Sequence, residues 1–154
     1  MGIVIDTNVL EHADNPTEKR QSHCKALLDY ISGATGMILY IDDGFDINEA
    51  RNSSKIWSEY IERLPPGSAG HSFLLLLSGL QQIDTLSKVV SSSISKKIRQ
   101  KVHDSSDIVF AKVTHNSPGK ILVSHDFTHF SNASRKFLED AIGIQIIDAK
   151  EYME

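Results

Sequence analysis

Gly2-Ile3-Val4-Ile5-Asp6-Thr7-Asn8 is the stretch on which the reading of this chain turns. Three consecutive apolar residues, two isoleucines around a valine, run directly into an aspartate. All three favour strands, and an unbroken apolar run rather than an alternating one suits a strand covered on both faces of a parallel sheet. In an open α/β sheet, ligands bind beyond the carboxyl ends of such strands, which is where Asp6 would stand. A cap or turn role for Asp6 is the competing reading.

The same pattern recurs downstream. Ile121-Leu122-Val123-Ser124-His125 leads into Asp126. Asp104-Ser105-Ser106-Asp107 opens a segment with helical spacing, and residues three apart on a helix share a face. Glu49 falls in the first turn of a helix expected over 48–64, which Pro65-Pro66-Gly67 ends. Each acid has a plain structural role open to it, as a helix cap, a first-turn acid or a turn former. Gathered in one cleft, they would repel by roughly 4 kcal/mol per close pair at a partly screened surface. Such a set persists when protonated or when it holds a cation, and hard oxygen donors favour Mg²⁺ or Mn²⁺.

Between these acids the chain alternates. A helix is expected over 17–32, with Thr17 as N-cap and Gly33 as stop, then a strand over 37–41. Asp42-Asp43-Gly44 is a turn signal, from which 45–47 is expected to pair back as a hairpin arm. A short buried helix is expected over 72–80, and 83 onward is left open between strand and loop. Further helices are expected over 104–114 and 131–142, and strands over 120–124 and 144–147. The order predicts an α/β fold, three α/β/α layers around a mostly parallel sheet, as one domain over residues 1–154.

The composition is that of an ordinary globular chain: 154 residues, 40% hydrophobic and 23% charged. Cys24 is the only cysteine, which excludes an internal disulfide and points to a reducing cytoplasm. The longest apolar run, Phe73-Leu74-Leu75-Leu76-Leu77, is too short to span a bilayer, so no membrane role is expected. It reads first as core, with a dimer or protein-partner surface as its other reading. A net charge of −4 confines any nucleic-acid contact to a local basic patch. Lys96, Lys97, Arg99 and Lys101 offer one, in a stretch free of acids that leads into Asp104; a solvated helix face is the competing reading. His125 and His129 lack an HExxH pattern or a cysteine pair, which argues against zinc.

Taken in order, these motifs resemble the PIN domain family, nucleases that include the VapC-like toxins of bacterial toxin–antitoxin pairs. The family's first strand ends in Asp-Thr-Asn, as Asp6-Thr7-Asn8 does here. Its second acid lies early in a helix, matched by Glu49. Its third opens an Asp-x-x-x-Ala segment, matched by Asp107-Ile108-Val109-Phe110-Ala111, and its fourth follows a strand, matched by Ser124-His125-Asp126-Phe127. The resemblance implies a metal-dependent endoribonuclease that hydrolyses single-stranded RNA and leaves a 5′-phosphate. It implies Asp6, Asp107 and Asp126 as metal ligands, Asp104 as an addition to them and Glu49 as a catalytic acid. Thr7, Asn8 and Ser124 would support these groups. An antitoxin and a homodimer are the implied protein partners. A PIN-like module that no longer cuts and serves as an RNA- or protein-binding scaffold is the alternative. A dehalogenase-type phosphotransfer site is excluded because Asn8 stands where a second aspartate is needed. A receiver-type site is excluded because no lysine follows the late strand.

Overall fold

β1 (Gly2–Ile5) lies at the centre of a five-stranded sheet, and every one of its residues is buried. The computed structural model describes all residues, 1–154. β1 pairs in parallel with β2 (Ile38–Asp42) on one side and β4 (Ile121–Val123) on the other. β3 (Ile83–Leu86) and β5 (Gln145–Ile147) extend the two edges, also in parallel, giving the order β3-β2-β1-β4-β5.

Eight helices complete the chain: α1 (Thr7–His12), α2 (Gln21–Gly33), α3 (Lys55–Arg63), α4 (Ala69–Gly79), α5 (Ser92–Lys101), α6 (Ser105–Asn116), α7 (Asn132–Ile142) and α8 (Ala149–Met153). α6 packs across β1, β2 and β4 with α3 and α5 beside it, and α7 packs on α5 and β5; α2, α4 and α8 form a second group, with α1 joining α2, α3 and α4. The result is a three-layer α/β/α fold with an all-parallel sheet. No helix is long and apolar enough to cross a membrane.

Local chemistry explains most element ends. Ser54, Ser68, Ser91, Asp104 and Ser131 each accept a backbone N–H in the first turn of their helix. Asp148 and Glu151 close a reciprocal capping box on α8. Gly143 ends α7 at φ +75°, a left-handed conformation that costs glycine nothing. Gly70 lets α4 approach α1, because a Cβ there would lie 2.7 Å from the Leu10 carbonyl oxygen.

Three expected elements differ. The helix expected over 17–32 begins at Gln21, since Thr17 donates from both its backbone N–H and its hydroxyl to Asn15 Oδ1 and closes a turn instead. The hairpin arm expected over 45–47 does not exist: Gly44 turns the chain at φ +89°, and Phe45 packs on Trp57 with ring centroids 4.5 Å apart. β2 pairs instead with β3, which resolves the open reading of 83 onward as a strand. The helix expected from 48 starts at Lys55. Buried Asp42 accepts hydrogen bonds from the Ser54 hydroxyl (2.6 Å), Lys55 N (2.8 Å) and Ile56 N (2.9 Å), so the end of β2 anchors the start of α3. No periodicity in the sequence points to α8.

Candidate metal centre

Strand order reverses between β1 and β4. The chain leaves β1 toward β2 and β3, then returns to the other side of β1 through β4 and β5. That reversal opens a crevice at the carboxyl ends of β1 and β4, the usual ligand position in such sheets. Asp6 follows β1 and Asp126 follows β4 by three residues. α6 returns the chain into β4, so its N-terminus, with Asp104 and Asp107, lies at the same rim.

Side chains carry the convergence through. Ligating oxygens of Asp6, Asp107 and Asp126 lie within 4.8 Å of one another, and Asp104, Asp107 and His129 form a second such group. Asp6 is buried at 3% exposure and commits Oδ2 to hydrogen bonds from the Ser124 hydroxyl (2.7 Å) and Asn8 Nδ2 (3.2 Å). Asp126 N donates in turn to Ser124 Oγ (3.1 Å), linking the two strand ends. Asn8 Oδ1 accepts from His125 N (3.0 Å). Of the three residues expected to support the acids, Ser124 and Asn8 bond Asp6, whereas the Thr7 hydroxyl donates to Glu59 Oε2.

Asp126 Oδ1 accepts from Thr128 N (3.0 Å) and His129 N (2.8 Å), which folds the loop after β4 into a tight turn. Asp104 Oδ1 accepts from Ser106 N (3.0 Å) and Asp107 N (3.2 Å), so Asp104 is a helix cap as well as a member of the rim. Asp107 is different. It is buried at 6% exposure, and its Oδ2 accepts no aligned hydrogen bond. A buried carboxylate oxygen left without a donor is costly. His129 Nδ1 faces it at 2.9 Å, and the three carboxylates are a donor set that a hard divalent ion would fit.

Electrostatics agree with crowding. Burial raises Asp6 to about 6, and Glu59 and Asp126 add to the rise, against the Ser124 hydrogen bond. Burial raises Asp107 to about 7, with Asp6, Asp104 and Asp126 adding and His129 opposing. Asp126 above all raises His129, against some desolvation and with help from Asp107 and Asp104.

Glu49 is not part of this centre. Because α3 starts seven residues after Asn48, Glu49 stays in the exposed loop before it and lines a separate hollow with Asn52, Trp57, Ser58 and Glu62. Glu59, five residues beyond the Ser54 cap on α3, is the acid that neighbours Asp6 instead: it accepts from Thr7 and lies 3.8 Å from Arg63. The Ser54 cap three residues before Trp57 was the sequence signal that would have found it.

Two more residues shape the site, and neither stands out in the sequence. Arg135 on α7 is buried at 8% exposure and has no carboxylate partner. Its guanidinium donates to the carbonyls of Phe130 (2.7 Å), Ser124 (3.1 Å), Asp126 (3.2 Å) and Ile146 (3.3 Å), fastening the Asp126 loop to β5. It also lies 4.1 Å from the Phe127 ring centroid. His129, set aside on sequence grounds, stands with Nδ1 2.9 Å from Asp107 Oδ2 and 3.0 Å from Asp126 Oδ2.

A third group, His12, Cys24 and His125, also brings potential ligands together but reads as structural. Ala149 N donates to His125 Nε2 (3.1 Å), which leaves the ring proton on Nδ1 facing His12 Nδ1 at 2.9 Å. That nitrogen is a donor rather than a free lone pair. Burial lowers His125 to about 4 and raises the Cys24 thiol to about 12, so both are neutral. His125 also borders a polar hollow of about 310 Å³ lined by Lys19, Arg20, His23, Asp148 and Lys150. Lys96 and Arg99 on α5 line another, of about 480 Å³, with Ser92, Ser93 and Ser95. Lys97 also lies on α5, and Lys101 ends that helix over the Phe137 ring, 5.5 Å from its centroid. The chain matches no known protein-family model and no curated protein.

Proposed function

We propose that this chain is a PIN-like, divalent-metal-dependent endoribonuclease, with Mg²⁺ or Mn²⁺ held by Asp6, Asp107 and Asp126. The observation that carries the reading is a cluster of three carboxylates, two of them buried, where the strand order reverses, with His129 Nδ1 facing Asp107 Oδ2 at 2.9 Å. Asp104 adds a fourth carboxylate at the edge, and Glu59, bonded to Thr7, would take the role expected of Glu49.

When bound, such an ion lowers the pKa of a coordinated water and stabilises charge on the scissile phosphate. The chain's own residues prepare the geometry. Ser124 and Asn8 keep Asp6 oriented, and the Arg135 clamp fixes the loop that presents Asp126. Basic side chains are available near by in the chain: Lys19, Arg20 and Lys150 line a hollow with His125, and the α5 lysines and arginine precede Asp104. These would grip the phosphates of single-stranded RNA, offsetting the acidic net charge. A protein partner, an antitoxin or a second copy of the chain, belongs to the same proposal; Leu75, Leu76 and Leu80 are the exposed apolar side chains on and just after α4 available to it.

The test is incubation of end-labelled RNA with Mn²⁺, Mg²⁺ or EDTA. The wild type should cleave with either metal, leave 5′-phosphate ends and stop in EDTA. Asp107→Asn and Asp126→Asn should stay folded and lose cleavage by at least about 100-fold, the scale expected when a metal's ligands are lost. RNA retained but uncut in the presence of metal would turn the reading to a non-cutting scaffold.

A further inference from the structure

We propose that His129 is itself a ligand of the divalent ion, so that the centre is a mixed Asp–Asp–His set that prefers first-row transition ions to Mg²⁺. The proposal rests on the ion site described above and adds an imidazole to it.

Geometry carries the inference. A six-coordinate ion with bonds of about 2.1 Å places neighbouring ligands about 3.0 Å apart. A tetrahedral ion with bonds of about 2.05 Å places them about 3.3 Å apart. His129 Nδ1 stands 2.9 Å from Asp107 Oδ2 and 3.0 Å from Asp126 Oδ2, the spacing of adjacent octahedral ligands. The second group, Asp104, Asp107 and His129, shares Asp107 with the first, so one buried residue faces both sets.

An independent observation points the same way. Asp107 Oδ2 is at 2.9 Å from that imidazole nitrogen and yet accepts no aligned hydrogen bond. In the metal-free protein the two form a close but poorly aligned contact, and an ion seated between them would take both as ligands. The ring is also held rather than free. Its backbone N–H donates to Asp126 Oδ1, and Arg135 clamps the turn through the carbonyls of Asp126 and Phe130. The His129 side chain is half exposed, leaving an open approach for a hydrated ion. Imidazole nitrogen adds little affinity for Mg²⁺ and much for Co²⁺ or Ni²⁺, which is the basis of the selectivity.

The rival role for His129 is a resident counter-charge, and the two roles differ in sign. Removing a ligand weakens binding of the ions it favours. Removing a competing positive charge tightens binding of every divalent ion, Mg²⁺ included. Calorimetric titration of the wild type and His129→Ala with Co²⁺, Mn²⁺ and Mg²⁺ decides between them. Far-UV circular dichroism and thermal unfolding in EDTA establish that the variant is folded. The ligand role predicts about 100-fold weaker Co²⁺ binding in His129→Ala, a smaller loss for Mn²⁺ and less than about 3-fold change for Mg²⁺. It also predicts nitrogen modulation in the pulsed EPR spectrum of the Mn²⁺-loaded wild type that disappears in the variant. Unchanged or tighter Co²⁺ binding in a folded His129→Ala protein, or no nitrogen signature, overturns the assignment of His129 alone. Failure of the wild type to bind any of the three ions overturns the ion site with it.

Discussion

Asp6→Asn should make the metal-free protein more stable, and only at neutral to alkaline pH. Asp6 is buried, and its folded-state pKa is raised to about 6 from an ordinary value of 3.8. The folded chain therefore holds this proton more tightly than the unfolded chain does. The stabilisation is complete below about pH 4, is lost as pH rises through about 6, and is absent at pH 8. A shift of about two units corresponds to roughly 3 kcal/mol of penalty for the ionised, buried carboxylate at pH 8. The amide of the variant escapes that penalty but gives the Ser124 hydroxyl a neutral acceptor in place of a charged one, a loss of about 1 kcal/mol. The net gain is about 2 kcal/mol at pH 8, or about 4–8 °C in unfolding midpoint for a chain of this size. By pH 5 it should shrink below about 1 kcal/mol. Added Mn²⁺ should reverse the order, because only the wild type gains the ligand's mass-action stabilisation. The assay is thermal and urea unfolding of both proteins in EDTA and in Mn²⁺ between pH 5 and 8. An Asp6→Asn protein no more stable than wild type in EDTA at pH 8, or a gain equal at pH 5 and pH 8, would refute the electrostatic argument.

Arg135→Met should cost about 3 kcal/mol in urea unfolding, because it strips a buried donor from the carbonyls of Ser124, Asp126, Phe130 and Ile146. Arg135→Lys should recover less than half of that, since an ammonium lacks the planar fork. Glu59→Gln should weaken Mn²⁺ binding and RNA cleavage several-fold while Glu49→Gln changes neither, which calorimetry and a cleavage assay on the two variants would check. Asp42→Ala should destabilise by about 3 kcal/mol, by orphaning Lys88 and the donors of Ser54, Lys55 and Ile56, and leave metal affinity unchanged in a titration of the folded variant.

Much of the fold could be read locally because its causes are local. The run Ile3-Val4-Ile5 is a buried parallel strand for the reason its composition suggests, and the same holds for Ile121-Leu122-Val123. Asp104 and Ser131 cap their helices, and Gly143 ends α7, through contacts within one turn. Asp6, Asp107 and Asp126 were legible as a set because strand ends and helix starts of a parallel sheet fall on one rim.

The departures all arise from contacts distant in sequence. Whether 45–47 paired back depended on β3, some forty residues later, which occupies that edge of β2. The start of α3 was moved by Asp42, a carboxylate thirteen residues before Lys55, and that displacement put Glu59 rather than Glu49 beside Thr7. Arg135 carries no mark in its own helix; its importance comes from four carbonyls that only the folded β4–β5 edge brings within its reach. His129 was passed over because no HExxH pattern or cysteine pair accompanies it, and only the closed turn brings it to Asp107, twenty-two positions away. Propensity, periodicity and capping act within a turn or two, so the amino-acid sequence alone determined the elements and the acids at their ends. Which donors and carboxylates meet across the sheet's rim depends on distances between elements, and those were decided by tertiary packing.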